Sequence, residues 1–207
     1  MKLIGMLDSP FVRRTAISFE VLGVHFEHEA VSVFGTFEKF RAINPVVKAP
    51  TLVCDDGEIL MDSSLILQYV EARTPHRCSL WSADPAERQH EFRAVGLALA
   101  AGEKSVHSVY ERNLRPKEAQ HAPWVERITG QLLAAYAALE EEVLRRPLLF
   151  ATGLSQASIT TAVVWQFTQS MLADVVPAGR HPELEALSTR LEATPEFRKY
   201  PPDGPGV

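Results

Sequence analysis

Three short stretches of this chain place polar side chains where backbone ends stand open to a ligand. Ser9-Pro10 lies where a short apolar strand, Leu3-Ile4-Gly5-Met6, passes into an amphipathic helix. Serine is a favoured N-cap, and proline has its φ preset for a first helical turn. That helix turns unpaired N–H groups and the positive end of its dipole toward whatever lies beside Ser9. A hydroxyl there can cap its own helix, stabilise a ligand anion, or do both. Asp62-Ser63 opens another helix, where N–H groups suit a carboxylate, the serine hydroxyl adds a donor, and Asp62 can accept from an ammonium group. Its plain reading is again an N-cap. Ala49-Pro50 directly precedes a hairpin; its plain reading is a trans proline ending a loop before a strand, and the hairpin favours cis, which costs an X-Pro peptide only about 0.5–1 kcal/mol over trans.

The elements that position these stretches follow from periodicity. Phe11, Val12, Thr15, Ala16, Phe19 and Leu22 recur at helical spacing up to Gly23. A second strand is expected between Val24 and Val33, and a short helix over Phe37 to Ala42. Thr51 to Cys54 and Glu58 to Met61 flank Asp55-Asp56-Gly57, a hairpin turn with the glycine that φ > 0 requires. Leu65, Ile66, Tyr69 and Val70 mark a helix ending near Arg73, with Pro75 as the stop. From Pro85 onward only helical stripes appear: Phe92 to Val109, Trp124 to Val143 with Pro147 as terminator, Ile159 to Met171, and Leu184 to Leu191. Residues 76–84 carry no periodicity and read as a linker, and the tail from Pro201 to Val207 is expected to fray. The organisation is an α/β domain over residues 1–75 and an all-helical domain over 85–207.

Composition narrows the function classes. A net charge of −5 with no basic run argues against a nucleic-acid partner. The clusters Glu140-Glu141-Glu142 and Arg145-Arg146 look like a solvated helix end. No membrane span and no leader is expected, which makes the cytoplasm the default location. Cys54 and Cys78 form neither a disulfide framework nor a zinc spacing, and the seven histidines are scattered, so no metal is expected. Cys54 reads as a small buried hydrophobe. No cysteine lies in the Ser9 loop, which removes thiol–disulfide exchange, because that reaction needs an attacking thiolate of the protein's own.

The order βαβ then ββα, with proline before the hairpin, is the thioredoxin-like arrangement. Asn44-Pro45-Val46-Val47-Lys48-Ala49-Pro50-Thr51-Leu52 resembles the N-P-x-x-K-x-P-x-L stretch of the glutathione transferase superfamily. Ser9-Pro10-Phe11-Val12-Arg13 and Asp62-Ser63 resemble its other N-terminal signatures, and Tyr110-Glu111, Arg115-Pro116, Trp124 and Arg127 resemble a bacterial branch of it. The resemblance implies a glutathione transferase fold, a thioredoxin-like N-terminal domain followed by an all-α C-terminal domain, dimeric as a homodimer. It implies a glutathione S-transferase acting in detoxification, in which Ser9 donates to the glutathione sulfur and the thiolate attacks a small electrophile. The backbone of Ala49, before cis Pro50, would pair with the cysteinyl part, and Asp62 with Ser63 would hold the γ-glutamyl group. The electrophile would lie against the long helix beginning near Pro85, with Phe11 and Tyr110 as linings; plain core packing is the other reading of both. Two alternatives belong to the same resemblance: a glutathione-binding regulatory or stress protein, and a glutathione-dependent lyase, dehalogenase or peroxidase. The Ser-Ser-Cys loop of maleylacetoacetate isomerases is absent. Two departures from the family pattern stand out. Val47 occupies a position where glycine is common, so the loop before Pro50 is expected to differ in shape. Ser155-Gln156-Ala157-Ser158 has serine where an acid completes a capping box, which is expected to weaken that cap by about 0.5–1 kcal/mol.

Overall fold

A computed structural model describes residues 1–74, 79–151 and 153–204. Pro75, Cys78 and the first part of the expected linker lie outside the described residues, as does the end of the tail. The chain forms two compact units, one built from Met1–Leu80 with the segment that begins at Thr194, the other from Trp81–Ala193.

The first unit is a four-stranded sheet in the order β2-β1-β3-β4, with β1 at Lys2–Ile4, β2 at Glu27–Glu29, β3 at Thr51–Val53 and β4 at Ile59–Met61. β1 runs parallel to β2 and antiparallel to β3, and β3 pairs antiparallel with β4. The parallel pair is joined through α1, Pro10–Val21, and the hairpin is followed by α3, Ser63–Arg73. Strand alternation sends Ile4 to one face, where it packs with Val31 and with Phe40 of α2, Phe37–Ile43, and sends Leu3 to the other. α1 packs on α3. The second strand is much shorter than the expected 24–33, because the three residues of β1 offer register only to Glu27, His28 and Glu29.

A short α9, Pro195–Lys199, completes this unit, and nothing in the sequence reading anticipated it. It packs on α1, with Phe197 fully buried, Arg13 Nε donating to the Tyr200 carbonyl at 2.8 Å, and Lys199 paired with Glu20 at 2.7 Å.

The second unit is helical: α4 Pro85–Asn113, α5 Ala122–Arg145, α6 Pro147–Ala151, α7 Gln156–Leu172 and α8 Pro182–Glu192. α7 is buried on all sides from Gln156 to Trp165 and packs against α4 and α8, while α4 also packs on α5. A buried hydroxyl chain crosses this core, with Tyr136 Oη donating to Thr168 Oγ1 at 2.6 Å and Ser105 Oγ bonded to the same atom at 2.7 Å. Pro147, read as a terminator, does follow the end of α5 at Arg145, and it also opens α6, which suits a residue with no N–H to lose in a first turn.

The run Glu140-Glu141-Glu142 is not a solvated helix end. Glu140 is 8% exposed and Glu142 1% exposed. Glu140 accepts from the N–H groups of Glu183 and Leu184, at 2.9 and 3.0 Å, and so caps α8 from a neighbouring helix. Glu142 receives Arg93 Nε at 2.8 Å and Arg146 Nη1 at 2.6 Å. Burial pushes its carboxyl up, and these arginines more than reverse the effect, leaving it below the usual carboxylate value. The serine version of the α7 capping box closes fully: Ser155 Oγ accepts the Ser158 N–H at 3.2 Å, and Ser158 Oγ accepts the Ser155 N–H at 2.9 Å. Only the negative charge at the helix start is lost.

Candidate functional site

Strand pairing gathers the three polar stretches at one end of the sheet. Ile4 faces Thr51 across the β1–β3 pair, and Thr51 faces Met61 across β3–β4. The loop after β1, the Ala49-Pro50 approach to β3 and Asp62 after β4 therefore leave the sheet side by side. Gly5 shows how tightly they meet. Its φ is 139°, and a Cβ there would stand 2.6 Å from Val12 Cγ2 and 3.2 Å from Ala49 Cβ, so glycine alone fits.

Ser9 is the N-cap of α1, with extended backbone at φ −72° and ψ 121°. Its N–H donates to the Met6 carbonyl at 3.2 Å, and its own carbonyl accepts from Arg13. Its hydroxyl makes no capping hydrogen bond. Of the options open to that hydroxyl in the sequence, capping is the one the geometry leaves unused. Phe11 lies half-buried in the first turn that follows.

The Ala49–Pro50 peptide is cis, as expected. The loop before it is held by Asn44, whose amide donates to Thr51 Oγ1 at 2.9 Å while its oxygen accepts the Val46 N–H at 3.0 Å. Thr51 Oγ1 in turn donates to the Lys48 carbonyl at 2.7 Å. Val47 and Ala49 pack against the Ile4–Phe40 cluster. Val47 has φ 52°, the left-handed backbone that glycine favours, so the loop keeps a glycine-type turn despite a β-branched side chain.

Asp62, at φ 70°, caps α3 by accepting the Ser64 N–H at 2.9 Å. Its other oxygen stands 3.8 Å from Lys48 Nζ. Ser63 is buried at 3% exposure, and its hydroxyl accepts from Arg14 Nη1 at 3.0 Å. The same nitrogen lies 3.2 Å from Ser64 Oγ. Arg14 is 1% exposed; burial lowers it to about 10, with the Asp62 charge opposing, so it remains a cation at neutral pH. Arg14 and Ser64 were not singled out from the sequence. A signal was present, since Arg13 and Arg14 sit in a helix that gives neither an acid at i±3 or i±4, and their partners must then come from elsewhere in the fold.

Tyr110 belongs to the second unit, where it lines a cavity of about 510 Å³ with His107, Leu114, Pro116 and Trp124. The charged groups of its lining, Arg115 and Glu111, pair with each other at 2.8 Å, and Glu111 also accepts the His121 N–H. The lining is thus largely apolar and aromatic. Among the described residues, no three His, Cys, Asp or Glu side chains gather as metal ligands would, and no helix is long and apolar enough to cross a membrane.

A mixed sheet of this order, with helices on it and a helical unit following in the chain, defines the thioredoxin-like half of a two-part fold. Residues 3–78 match the family model of the glutathione S-transferase N-terminal domain. The chain is 30% identical over 144 residues to maleylacetoacetate isomerase of Pseudomonas aeruginosa, spanning 65% of this chain and 67% of that one. It is 32% identical over 120 residues to the uncharacterized GST-like protein YibF of Escherichia coli, a match that spans 58% of either protein. In structure it superposes with a TM-score of 0.84 on a glutathione transferase family member of Pseudomonas fluorescens Pf-5 with bound glutathione, at 24% identity, over 98% of this chain and 99% of the other. The chain belongs to the glutathione S-transferase superfamily.

Proposed function

We propose that this protein binds glutathione at the sheet end formed by Ser9, Ala49-Pro50 and Asp62-Ser63, and directs its thiolate onto a small electrophile. The observation that carries this reading is the Ser9 hydroxyl, which stands at a helix N-terminus without serving as its cap. Ser9 donates to the glutathione sulfur. The backbone of Ala49 pairs with the cysteinyl part, and Asp62 with Ser63 holds the γ-glutamyl ammonium and carboxylate. A free thiol near pKa 8.5 is mostly protonated at neutral pH, and lowering it by about two units is worth about 2.7 kcal/mol. A hydrogen bond to the charged form, added to the helix dipole, is of that order. An unengaged hydroxyl favours catalysis over a purely regulatory glutathione-binding role.

Phe11, in the first turn of α1, is a proposed contact of the electrophile. The aromatic cavity around Tyr110, taken by itself, has a volume and lining that suit a small, largely apolar molecule. A homodimer is part of the same reading; the exposed apolar residues Ile59, Met61 and Leu65, at and after the edge strand of the sheet, support it. A cytoplasmic detoxifying role belongs to the same reading, on family grounds alone. A second reading takes its support from the Pseudomonas aeruginosa relative: the thiolate adds reversibly to a conjugated cis double bond and so isomerises it. The cysteine-free Ser9 loop weighs against it.

Calorimetric titration with glutathione, with thiolate absorbance followed against pH, tests the proposal. Saturable binding and a bound-thiol pKa about two units below the free value are expected. No binding, or a bound thiol that ionises as in solution, removes it. A panel of aryl halides, epoxides and maleylacetoacetate then separates conjugation from isomerisation.

A further inference from the structure

Gly5 follows the last residue of β1, and β2 holds it at two points. Its N–H donates to the Glu29 carbonyl at 3.1 Å, and its carbonyl lies 2.8 Å from His28 Nε2. A carbonyl only accepts, so Nε2 carries the hydrogen in this contact. The neutral ring in that tautomer and the protonated ring both donate from Nε2, so the bond outlasts a change of charge on His28. Its importance comes from the residue that receives it. Crowding by Val12 and Ala49 admits only glycine at position 5, and glycine is the residue least able to hold its own dihedral angles. Gly5 is buried, so a carbonyl turned away from His28 would lose its partner at the cost of a hydrogen bond. One residue further on, the Met6 carbonyl accepts the Ser9 N–H at 3.2 Å and closes the turn that delivers Ser9 to α1. The Ser9 hydroxyl makes no capping bond, so its direction is set by this turn and not by a bond to the helix.

We propose that His28 is a positioning residue for Ser9: by fixing the Gly5 carbonyl it fixes the peptide from which the Met6–Ser9 turn springs, and with it the direction of the Ser9 hydroxyl. The inference rests on the glutathione reading, in which that hydroxyl donates to the sulfur. Hydrogen bonds weaken steeply with misalignment, so a tilt of the turn is felt at the thiolate even where Ser9 itself is unchanged. His28 acts through the backbone of β1 and the loop after it, as a donor whose charge is immaterial.

The test follows the bound-thiol pKa by ultraviolet absorbance, glutathione affinity by calorimetry and conjugation rate against pH, in the whole protein carrying His28→Leu or His28→Gln. Leucine removes the donor. The bound-thiol pKa is expected to rise about one unit toward the free value, and conjugation near neutral pH to fall about tenfold, with the deficit shrinking toward pH 9. Glutathione affinity at pH 6, where the bound thiol is mostly protonated, is expected to stay within about twofold, because the contacts at Asp62 and Ser63 remain. Glutamine carries an uncharged Nε2–H at similar reach and is expected to keep the wild-type pKa. If melting curves show His28→Leu to be unfolded, His28→Asn takes its place with the same expected rise, since its amide is too short to reach the carbonyl. A purely structural role would lower the melting temperature and leave the bound-thiol pKa of the folded variant where it was. That result overturns the inference, as does a glutamine variant that behaves like leucine. A wild type that binds no glutathione, or whose bound thiol ionises as in solution, overturns the functional reading together with it.

Discussion

Ser9 keeps its hydroxyl out of the helix it begins, and that separates two effects which substitution would otherwise mix. Ser9→Ala is expected to change folding stability by less than about 0.5 kcal/mol, since no cap bond is lost. Conjugation near neutral pH is expected to fall about ten- to a hundredfold, for one to two units of thiol pKa, and the deficit to shrink toward pH 9, where the thiol ionises unaided. Initial rates against pH, measured beside melting curves, check both halves. Gly5 behaves in the opposite way. Gly5→Ala forces a side chain onto Val12 and Ala49 at a φ of 139° and is expected to cost about 2–5 kcal/mol in denaturant unfolding. Ser9, Ala49, Pro50, Asp62 and Ser63 were legible in the sequence because their types and local settings already imply helix starts and a proline turn. Arg14 was not, because its meaning lies in hydroxyls about fifty positions away in the chain. Val47 was half legible: its departure from glycine stood out, but only the backbone shows that the glycine-type conformation persists.

Among elements, α8 depends most on its neighbours. Its N-cap, His181, makes no capping bond, and Glu140 of α5 supplies the acceptors instead. The His181 ring is wedged beside Tyr136 and Trp165, with centroids 5.9 and 5.6 Å away. Burial lowers its pKa, nearby Arg180 adds to this, and Glu140 opposes it. The unfolded chain therefore binds a proton at His181 more readily than the folded one does. This contribution to stability is complete above about pH 6.5 and drains as pH falls through 6.5 toward the lowered folded value. Melting temperature measured from pH 7.5 to 5 is expected to fall more steeply in the wild type than in His181→Phe. An equal slope in both would dismiss the effect. Helices of ten residues or more declared themselves by periodicity, as did the hairpin with its Asp-Gly turn. The acidic run in α5 was misread because a helical wheel shows which residues share a face, not which neighbouring helix end needs an acceptor. α6 and α9 are single turns of five residues, too short for any period to register.

The whole molecule adds a question of assembly. Light scattering at micromolar concentration is expected to return about twice the 23.0 kDa chain mass, with the edge-strand residues Ile59 and Met61 and neighbouring Leu65 withdrawn from solvent. A single-chain mass, unchanged when glutathione is added, would reject the dimer. The two-part organisation was readable from the switch to helices at Pro85, but the return of the chain to its first unit was not: α9 binds α1 through Arg13, Glu20 and Phe197, contacts between residues far apart in sequence. That return sets an order of events during synthesis. A ribosome adds about 5–20 residues per second, so the sheet and α1 would wait on the order of ten seconds after Leu80 before the segment from Thr194 emerges to cover Phe197's seat on α1. The helical unit, made in between, can fold first, although it is encoded second. Chains that end at Ala193 and are tethered to the ribosome by an unstructured linker long enough to clear the exit tunnel are expected to show a protease-sensitive α1 beside a resistant helical unit, and the same tethered chains extended past Tyr200 are expected to protect α1.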